Sequence, residues 1–314
     1  MPRHLFASAV VSLTAVLAPA GIAVAQDAIS PDNPVQHFGD PALNSFSPII
    51  EEPAPAALRA RTVRLEAKLT DDGAPMKFGL SWRIFSPIPG PDGKLPMLAS
   101  SEGGSTSFDL APGDYFVHVA FGRAGATKKL KIPAFDDPAP QTLVLDAGGM
   151  VLNAVSGSDV RIPPEELSFE IYSSEIKEDG ERGLIMDNVK PSEIVRLNSG
   201  TYHVVSDYGK VNATIRADIR IEAGRLTQAV IQHRAAKITL KLVSQAGGEA
   251  IADTAWSILT ASGDAVAESV GAFPVVVLAE GKYTAVARHK SNIYQRDFTV
   301  TSGRNQDVEV MLAN

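Results

Sequence analysis

Histidines are the side chains of this sequence best suited to binding a transition metal. After the first 25 residues they are His37, His118, His203, His233 and His289. Neither His-x-His nor His-Glu-x-x-His occurs, and these are spacings that bring two imidazoles onto one metal ion. We therefore expect surface or strand-face histidines, with no metal centre and no cofactor.

Paired acidic residues could instead bind calcium through their carboxylate oxygens. The pairs are Asp71-Asp72, Asp136-Asp137 and Glu178-Asp179. Acidic residues are also ordinary components of exposed turns. Exposed turns are the preferred interpretation, and calcium at these positions stays open as the alternative.

One short motif suggests a nucleophile. Ser174-Glu-Ile-Lys177 matches S-x-x-K, which needs a helix to bring the lysine back to the serine and a Lys-Thr-Gly strand elsewhere. Here the motif precedes a turn, and Lys-Thr-Gly, G-x-S-x-G, phosphate-loop and dinucleotide motifs are missing. The chain also has no cysteine. Spacing alone leaves paired acids for glycoside hydrolysis open, but we predict that the protein is not an enzyme.

Aromatic and basic side chains meet in two stretches that follow strand-like runs. Tyr208 is close to Lys210, and Tyr294 follows Arg288, His289 and Lys290. Loops of this kind stack on glycans or contact acidic protein surfaces. These six residues are the predicted ligand or partner loops, and solvated hairpins are the alternative.

The elements that position these loops repeat along the chain. The pattern L-x-x-G-x-Y occurs three times, with its glycine and tyrosine at Gly113 and Tyr115, at Gly200 and Tyr202, and at Gly281 and Tyr283. A glycine can adopt the positive φ of a sharp crossover, and a tyrosine that begins the next strand can cover the core while its hydroxyl binds upstream backbone. The motif therefore predicts three β-sandwich corners.

A second marker repeats in the same register. Trp82, Phe169 and Trp256 each lie in an alternating run, and consecutive members are 87 residues apart. Residues at the same place in three alternating strands are expected to fill the core. The third copy has a shorter hairpin, with Ser262-Gly263-Asp264 where the others carry Pro91-Asp92-Gly93-Lys94 and Glu178-Asp179-Gly180-Glu181.

Short alternating runs separated by Gly, Pro and Asp turns predict seven strands in each copy. We expect an all-β fold with three tandem Ig-like, prealbumin-like sandwiches: unit one (61–147), unit two (148–234) and unit three (235–314). Linkers between them are nearly absent, which favours a stiff array.

The N-terminal residues differ in composition from the repeats. Residues 1–25 combine Arg3 and His4, an apolar stretch and Ala23-Val24-Ala25, which predicts a cleaved secretory signal peptide. Residues 26–60 are Pro-rich and aperiodic, which predicts an extended leader that acts as a spacer or docks on a partner. The later chain has no stretch suited to a membrane span.

Charge narrows the classes of partner. The formal net charge is −7, and no dense basic run is present. This argues against binding to nucleic acid or to anionic lipid.

The L-x-x-G-x-Y corner after an exposed hairpin resembles that of carboxypeptidase regulatory-like and Cna-B-like sandwich modules. The stretches 200–205 and 271–274 are also similar to exported proteins of proteobacteria. The resemblance implies a non-catalytic accessory, stalk or binding module of extracytoplasmic proteins. A Cna-B-type cross-link needs a buried trio of Lys, Asn and acid, and no such trio repeats here.

These observations predict a periplasmic or secreted, non-catalytic structural or adaptor protein. It would bind another envelope component, a protein or a glycan, through its loops or sheet edges. The alternative is an array of carbohydrate-binding modules for cell-wall or surface polysaccharide that uses Tyr208 and Tyr294.

Overall fold

A computed structural model describes residues 59–312, which belong to one compact unit. The predicted signal peptide (1–25) and nearly all of the predicted leader (26–60) lie outside the described residues. Within residues 59–312 the chain is built from β-strands, with a single 3₁₀ turn at Pro164–Glu166. That part of the chain contains no helix with the length and hydropathy needed to cross a bilayer. The predicted all-β class is confirmed.

The strands fall into three consecutive groups. The first contains β1 (Arg61–Lys68), β2 (Leu80–Phe85), β3 (Met97–Gly103), β4 (Thr106–Leu110), β5 (Gly113–Phe121), β6 (Ala124–Ile132) and β7 (Gln141–Val144). The second contains β8 (Ala147–Ser156), β9 (Val160–Arg161), β10 (Leu167–Ile176), β11 (Arg182–Val189), β12 (Ile194–Asn198), β13 (Gly200–Tyr208), β14 (Thr214–Ile221) and β15 (Leu226–His233). The third contains β16 (Ala235–Val243), β17 (Ala255–Thr260), β18 (Ala265–Val270), β19 (Val275–Ala279), β20 (Gly281–His289), β21 (Asn292–Val300) and β22 (Gln306–Met311).

Each group forms the same pair of sheets. The three-stranded sheets have the orders β4-β1-β7, β12-β8-β15 and β19-β16-β22, in which the first pairing is antiparallel and the second parallel. The four-stranded sheets have the orders β3-β2-β5-β6, β11-β10-β13-β14 and β18-β17-β20-β21. The three pairs of sheets therefore share one topology, as the repeated sequence pattern predicts. The unit boundaries and the count of three domains stay predictions, and we keep the names unit one, unit two and unit three.

Apolar residues on alternate positions of these strands form three hydrophobic clusters. Val63, Leu65 and Ala67 of β1 are fully buried, while the residues between them are not. Trp82, Phe169 and Trp256 are only 0%, 0% and 2% exposed. The indole Nε1 of each tryptophan donates to a glycine carbonyl, Trp82 to Gly104 at 2.8 Å and Trp256 to Gly271 at 2.9 Å. These aromatic side chains hold the two sheets of each pair together.

The three L-x-x-G-x-Y motifs form tyrosine corners. The hydroxyl of Tyr115 donates to the carbonyl of Ala111, that of Tyr202 to Asn198 and that of Tyr283 to Ala279, each at 2.9 Å. The expected positive φ occurs at Gly113 (155°) and Gly200 (150°) but not at Gly281. Side-chain bonding to the backbone is thus the feature common to all three corners.

The four-stranded sheets carry the predicted exposed hairpins. Gly93, Gly180 and Gly263 each adopt a positive φ between the first two strands of their sheets. The third hairpin is the shortest and connects Thr260 to Ala265, as the sequence predicts.

Tyr202→Phe tests the corner hydroxyl. The substitution leaves the part-buried carbonyl of Asn198 without this donor, so we expect the free energy of unfolding to fall by about 1 kcal/mol. Urea denaturation followed by circular dichroism measures this value.

Tyr172→Phe is the control, because its hydroxyl bonds the side chain of Glu170 on the sheet surface. We expect a loss of less than about 0.5 kcal/mol there. Equal losses in the two variants would show that the corner bond is not specifically stabilising.

Candidate functional site

The residues predicted to bind a partner lie in or beside the hairpins between the third and fourth strands of the four-stranded sheets of units two and three, and unit one has an equivalent hairpin. In unit one this hairpin contains Gly122 and Arg123, between β5 and β6. In unit two it spans residues 209–213, between β13 and β14, and in unit three it contains Lys290 and Ser291, between β20 and β21. We call them the distal hairpins.

The distal hairpin of unit one contacts unit two. The backbone N–H of Arg123 donates to the carbonyl of Arg196 at 3.0 Å. Asn198 accepts from the N–H of Gly125 at 3.2 Å and donates to the carbonyl of Gly125 at 3.1 Å. The guanidinium of Arg196 lies 4.7 Å from the ring centroid of Phe121. A strand end of unit two is therefore bonded to this hairpin by backbone and amide groups.

The distal hairpin of unit two contacts unit three in the same place. Asn212 accepts from the N–H of Ala279 at 2.9 Å and donates to the hydroxyl of Tyr283 at 2.9 Å. Val277 is only 7% exposed and packs in the hydrophobic cluster of unit two. In this junction the bonding amide side chain is Asn212, which belongs to the hairpin. In the first junction it is Asn198, which ends strand β12.

Charged residues strengthen the second junction. Arg234 and Glu280 form an ion pair at 3.0 Å, and Lys237 pairs with Glu166. The N–H of Glu280 also donates to the carbonyl of Arg234 at 2.8 Å, and Ser199 and Asp146 make the equivalent backbone bond in the first junction. The two junctions thus share this backbone bond and differ in their side-chain contacts.

Close approach at both junctions requires glycine in the hairpin. Gly122 (φ 66°) and Gly209 (φ 73°) lie so close to the next unit that an added Cβ would be 2.9 Å from the Cβ of Arg196 or 2.7 Å from that of Val277. In unit three the corresponding residue is Lys290, also left-handed (φ 55°). A further unit docked in the same way would collide with the side chain of Lys290.

The structure separates the six predicted loop residues. Arg288 and Lys290 are exposed, and His289 is part-buried. Tyr294 packs against the core of unit three. Lys210 is exposed on the distal hairpin of unit two.

Tyr208 corrects one prediction. It is only 4% exposed, lies in the cluster of unit two and meets the ring of His233 edge-on at 5.9 Å. It is therefore unavailable for stacking on a glycan, because the first strand of unit three closes over this end of unit two.

His233 was expected at the surface or on a strand face, and it ends strand β15 on the face that points into the core. It is fully buried, its Nε2 lies 2.8 Å from the hydroxyl of Ser206, and its Nδ1 has no hydrogen-bond partner in the described structure. Burial lowers its pKa, against smaller opposing effects of the charge of Asp207 and of the nearby Ala213 backbone. The neutral imidazole is packed in the interior at the second junction.

The other described histidines lie on strand faces. His203 pairs with Asp218 at 2.7 Å, and Nδ1 of His118 lies 2.9 Å from the hydroxyl of Thr127. His37 lies outside the described residues. Among residues 59–312 no three His, Asp or Glu side chains are grouped as metal ligands. Ser174 lies in β10, and Lys177 follows it at the turn, so neither lies on a helix.

One family model and several solved structures are similar to parts of this chain. Residues 237–312 match a family model described as the Rhizobiales growth-associated tandem repeat domain. No curated protein matches the sequence.

Solved structures that are similar to this chain include two pilins and a TIE protein. The Bacillus anthracis TIE protein is 15% identical, with 81% of this chain and 50% of that chain covered, at a TM-score of 0.23. A Streptococcal ancillary pilin is 12% identical (80% and 98% covered, TM-score 0.31), and the major pilin subunit of Bacillus cereus is 11% identical (80% and 99%, TM-score 0.20). The chain thus matches half the length of the first of these proteins.

The resemblance to Cna-B-like and carboxypeptidase regulatory-like modules stays a prediction. The identities and TM-scores are too low to carry a conclusion about function.

The junction residues were missed in the sequence, although a signal for them exists. Gly122, Gly209 and Lys290 each follow the motif glycine by nine residues. The replacement of glycine by lysine at the third position marks the hairpin that lacks a docked unit within the described residues.

Gly209→Ala tests the close approach at the second junction. Alanine in a left-handed conformation costs about 1 kcal/mol, and overlap with Val277 adds about 2 kcal/mol more, since the buried valine has little room to move. Urea denaturation measures the total, and limited proteolysis reports the exposure of the junction.

Gly180→Ala is the matched control, because Gly180 is also left-handed (φ 82°) but an added Cβ meets no atom within 4 Å. We expect only the backbone cost of about 1 kcal/mol in this variant. The same stability and proteolysis in both variants would rule out a tight junction.

A pH titration of stability tests the burial of His233. The folded state holds this side chain neutral, whereas the unfolded chain takes up a proton below its ordinary pKa of 6.5. The free energy of unfolding should therefore fall as the pH drops from 6.5 towards the lower folded-state pKa. The slope is at most about 1.4 kcal/mol per pH unit for each such group.

His118 contributes in the same direction, because burial and then the charge of Arg83 lower its pKa. The variants His233→Gln and His118→Gln should each lose part of the slope. The bond to Lys241 lowers the pKa of Asp307, so this carboxyl changes the free energy of unfolding only below pH 3.8. A slope that both substitutions leave unchanged would contradict the assignment.

Proposed function

We propose that the chain is a non-catalytic structural protein of the cell envelope that holds its three units at fixed orientations and binds another envelope component. The observation that carries this proposal is the junction, which is built twice at equivalent positions, with a backbone hydrogen bond from Ser199 to Asp146 in the first and from Glu280 to Arg234 in the second. A protein whose units only needed to be tethered would not require these bonds.

The absence of a flexible connection at either junction supports the proposal. Only Leu145 and Asp146 separate β7 from β8, and only Arg234 separates β15 from β16. Leu145 is buried, and Arg234 is held by Glu280. With so few residues between strands, the units have little freedom to rotate.

The proposed location is the periplasm or the extracellular side of the envelope. It rests on the signal-like residues 1–25. The family that matches residues 237–312 is described as growth-associated. We therefore place the proposed role in envelope growth.

The proposed partner surface for a protein is the distal hairpin of unit three. Arg288 and Lys290 are exposed there, and Ile293 beside them is 67% exposed. The equivalent hairpins of units one and two contact the next unit through Arg123 and Asn212. A cationic hairpin with an apolar neighbour suits an acidic protein face.

An insertion experiment tests the structural role. A flexible ten-residue Gly-Ser segment placed between Arg234 and Ala235 should abolish complementation of the envelope defect of a strain that lacks this protein, because unit three is no longer held. The same segment between Asp179 and Gly180, in an exposed hairpin, should leave complementation intact. Fractionation checks that both proteins reach the periplasm in equal amounts.

Equal complementation by the two insertions would overturn the proposal that fixed orientation matters. Recovery of the full-length chain from the cytoplasm, with residues 1–25 uncleaved, would overturn the proposed location.

A further inference from the structure

Unit one carries a groove on the outer face of its four-stranded sheet. The groove has a volume of about 640 Å³ and lies over β2, β5 and β6, with the β2–β3 hairpin at one end. Its lining consists of Arg83, Phe85, Lys94, Leu95, Phe116, His118 and Thr127. This volume falls in the range of small-ligand sites.

The strand register places the aromatic rings side by side. Phe85 of β2 is directly opposite Phe116 of β5, and both are only part-buried. Neighbouring strands are about 4.8 Å apart. The two rings therefore form a short apolar platform that runs across the strands.

Basic side chains surround this platform. Arg83 lies one row from the phenylalanines, opposite His118, and Lys129 is opposite Phe116 on the other side. Lys94 lines the groove from the hairpin. The nearby carboxylate of Asp114 is exposed and 3.7 Å from Lys129, so it offsets little of this charge. The groove is therefore positively charged and complementary to an anion, although the net charge of the chain is −7.

Units two and three lack this combination at the same register positions. Tyr172 and His203 replace the phenylalanine pair in unit two, and Leu259 and Thr284 replace it in unit three. Glu170 and Ser257 stand where unit one has Arg83. Because the same fold forms with these other residues, folding does not require the phenylalanines or the arginine.

We propose that this groove binds a segment of acidic polysaccharide. Sugar rings would stack on Phe85 and Phe116, as flat faces of sugars do on aromatic rings. Their carboxylates would pair with Arg83 and Lys94. The inference goes beyond the structural role, which depends on the junctions and not on this face.

The position of the groove favours a glycan over an acidic peptide. A peptide that adds to a sheet binds the unpaired backbone groups of an edge strand. The phenylalanines lie on β2 and β5, which are the two central strands of the sheet and are already paired on both sides. Side chains alone are available to a ligand there, and aromatic stacking with charge pairing suits sugar acids.

The experiment is isothermal titration calorimetry of the mature protein with oligogalacturonate. A maltooligosaccharide of equal length is the neutral probe. Polyglutamate and vesicles of phosphatidylglycerol are the peptide and lipid probes. We expect binding of oligogalacturonate that weakens as salt is added, and no comparable binding of the other three probes.

The double variant Phe85→Leu with Phe116→Thr removes the platform and reproduces the residue pair of unit three. We expect affinity for oligogalacturonate to fall at least about tenfold, and Arg83→Glu to have a similar effect. The matched control, Tyr172→Leu with His203→Thr, makes the same change in unit two and should bind like the wild type. Circular dichroism and urea denaturation verify that each variant folds.

Four results would overturn the inference. They are no binding of oligogalacturonate, equal binding of the neutral probe, equal or tighter binding of polyglutamate or vesicles, and full binding by the folded double variant. None of these results bears on the insertion experiment, since the substitutions leave both junctions unchanged.

Discussion

The arrangement of the units depends on one constraint, which is that the first strand of a unit begins inside the core of the preceding one. Ala147, at the start of β8, is fully buried in the cluster of unit one, and Ala235, at the start of β16, is fully buried in that of unit two. A residue that belongs to two units at once cannot move with either alone. The hairpin contacts then add a second attachment point, and two points of contact limit rotation about the connection.

The hairpin glycines follow from this constraint. Once the first strand is held in the preceding core, the strand end that carries Arg196 or Val277 is brought against the distal hairpin. Only a residue without a Cβ fits between them in a left-handed conformation. Within the described residues no further unit contacts the distal hairpin of unit three, so Lys290 fits there. The lysine side chain distinguishes this hairpin from the other two, which carry glycine at the same position.

Much of this fold is predictable from the sequence because it rests on local and periodic features. The alternation in β1 and β16, the register of Trp82, Phe169 and Trp256, and the hydroxyl bonds of the three corner tyrosines all appear in the structure. These features repeat because each unit packs the same two sheets against each other. Their repetition makes them recognisable in a single sequence.

The candidate site was less predictable because its residues gain their surroundings from other units. Tyr208 has the same local sequence features as an exposed loop aromatic, but it faces inward at the end of β13, in a cluster that Ala235 and Val277 of unit three complete. His233 is polar, yet it faces inward at the end of β15 and meets Ser206 of β13. The groove on unit one was missed for a related reason. Phe85 and Phe116 are distant in sequence and become neighbours only through the pairing of β2 with β5.

The three units also show which positions are available for function. On the inner face, one equivalent position of β2, β10 and β17 is always a large buried aromatic, namely Trp82, Phe169 and Trp256. Three residues later, on the outer face, the chain has Phe85, Tyr172 and Leu259, and one residue after the aromatic it has Arg83, Glu170 and Ser257. Packing limits the first position in every unit and leaves the other two open, because they face solvent. A difference between units at an unconstrained outer face can therefore alter binding without altering the fold, and this is where the chemistry of unit one departs from that of its neighbours.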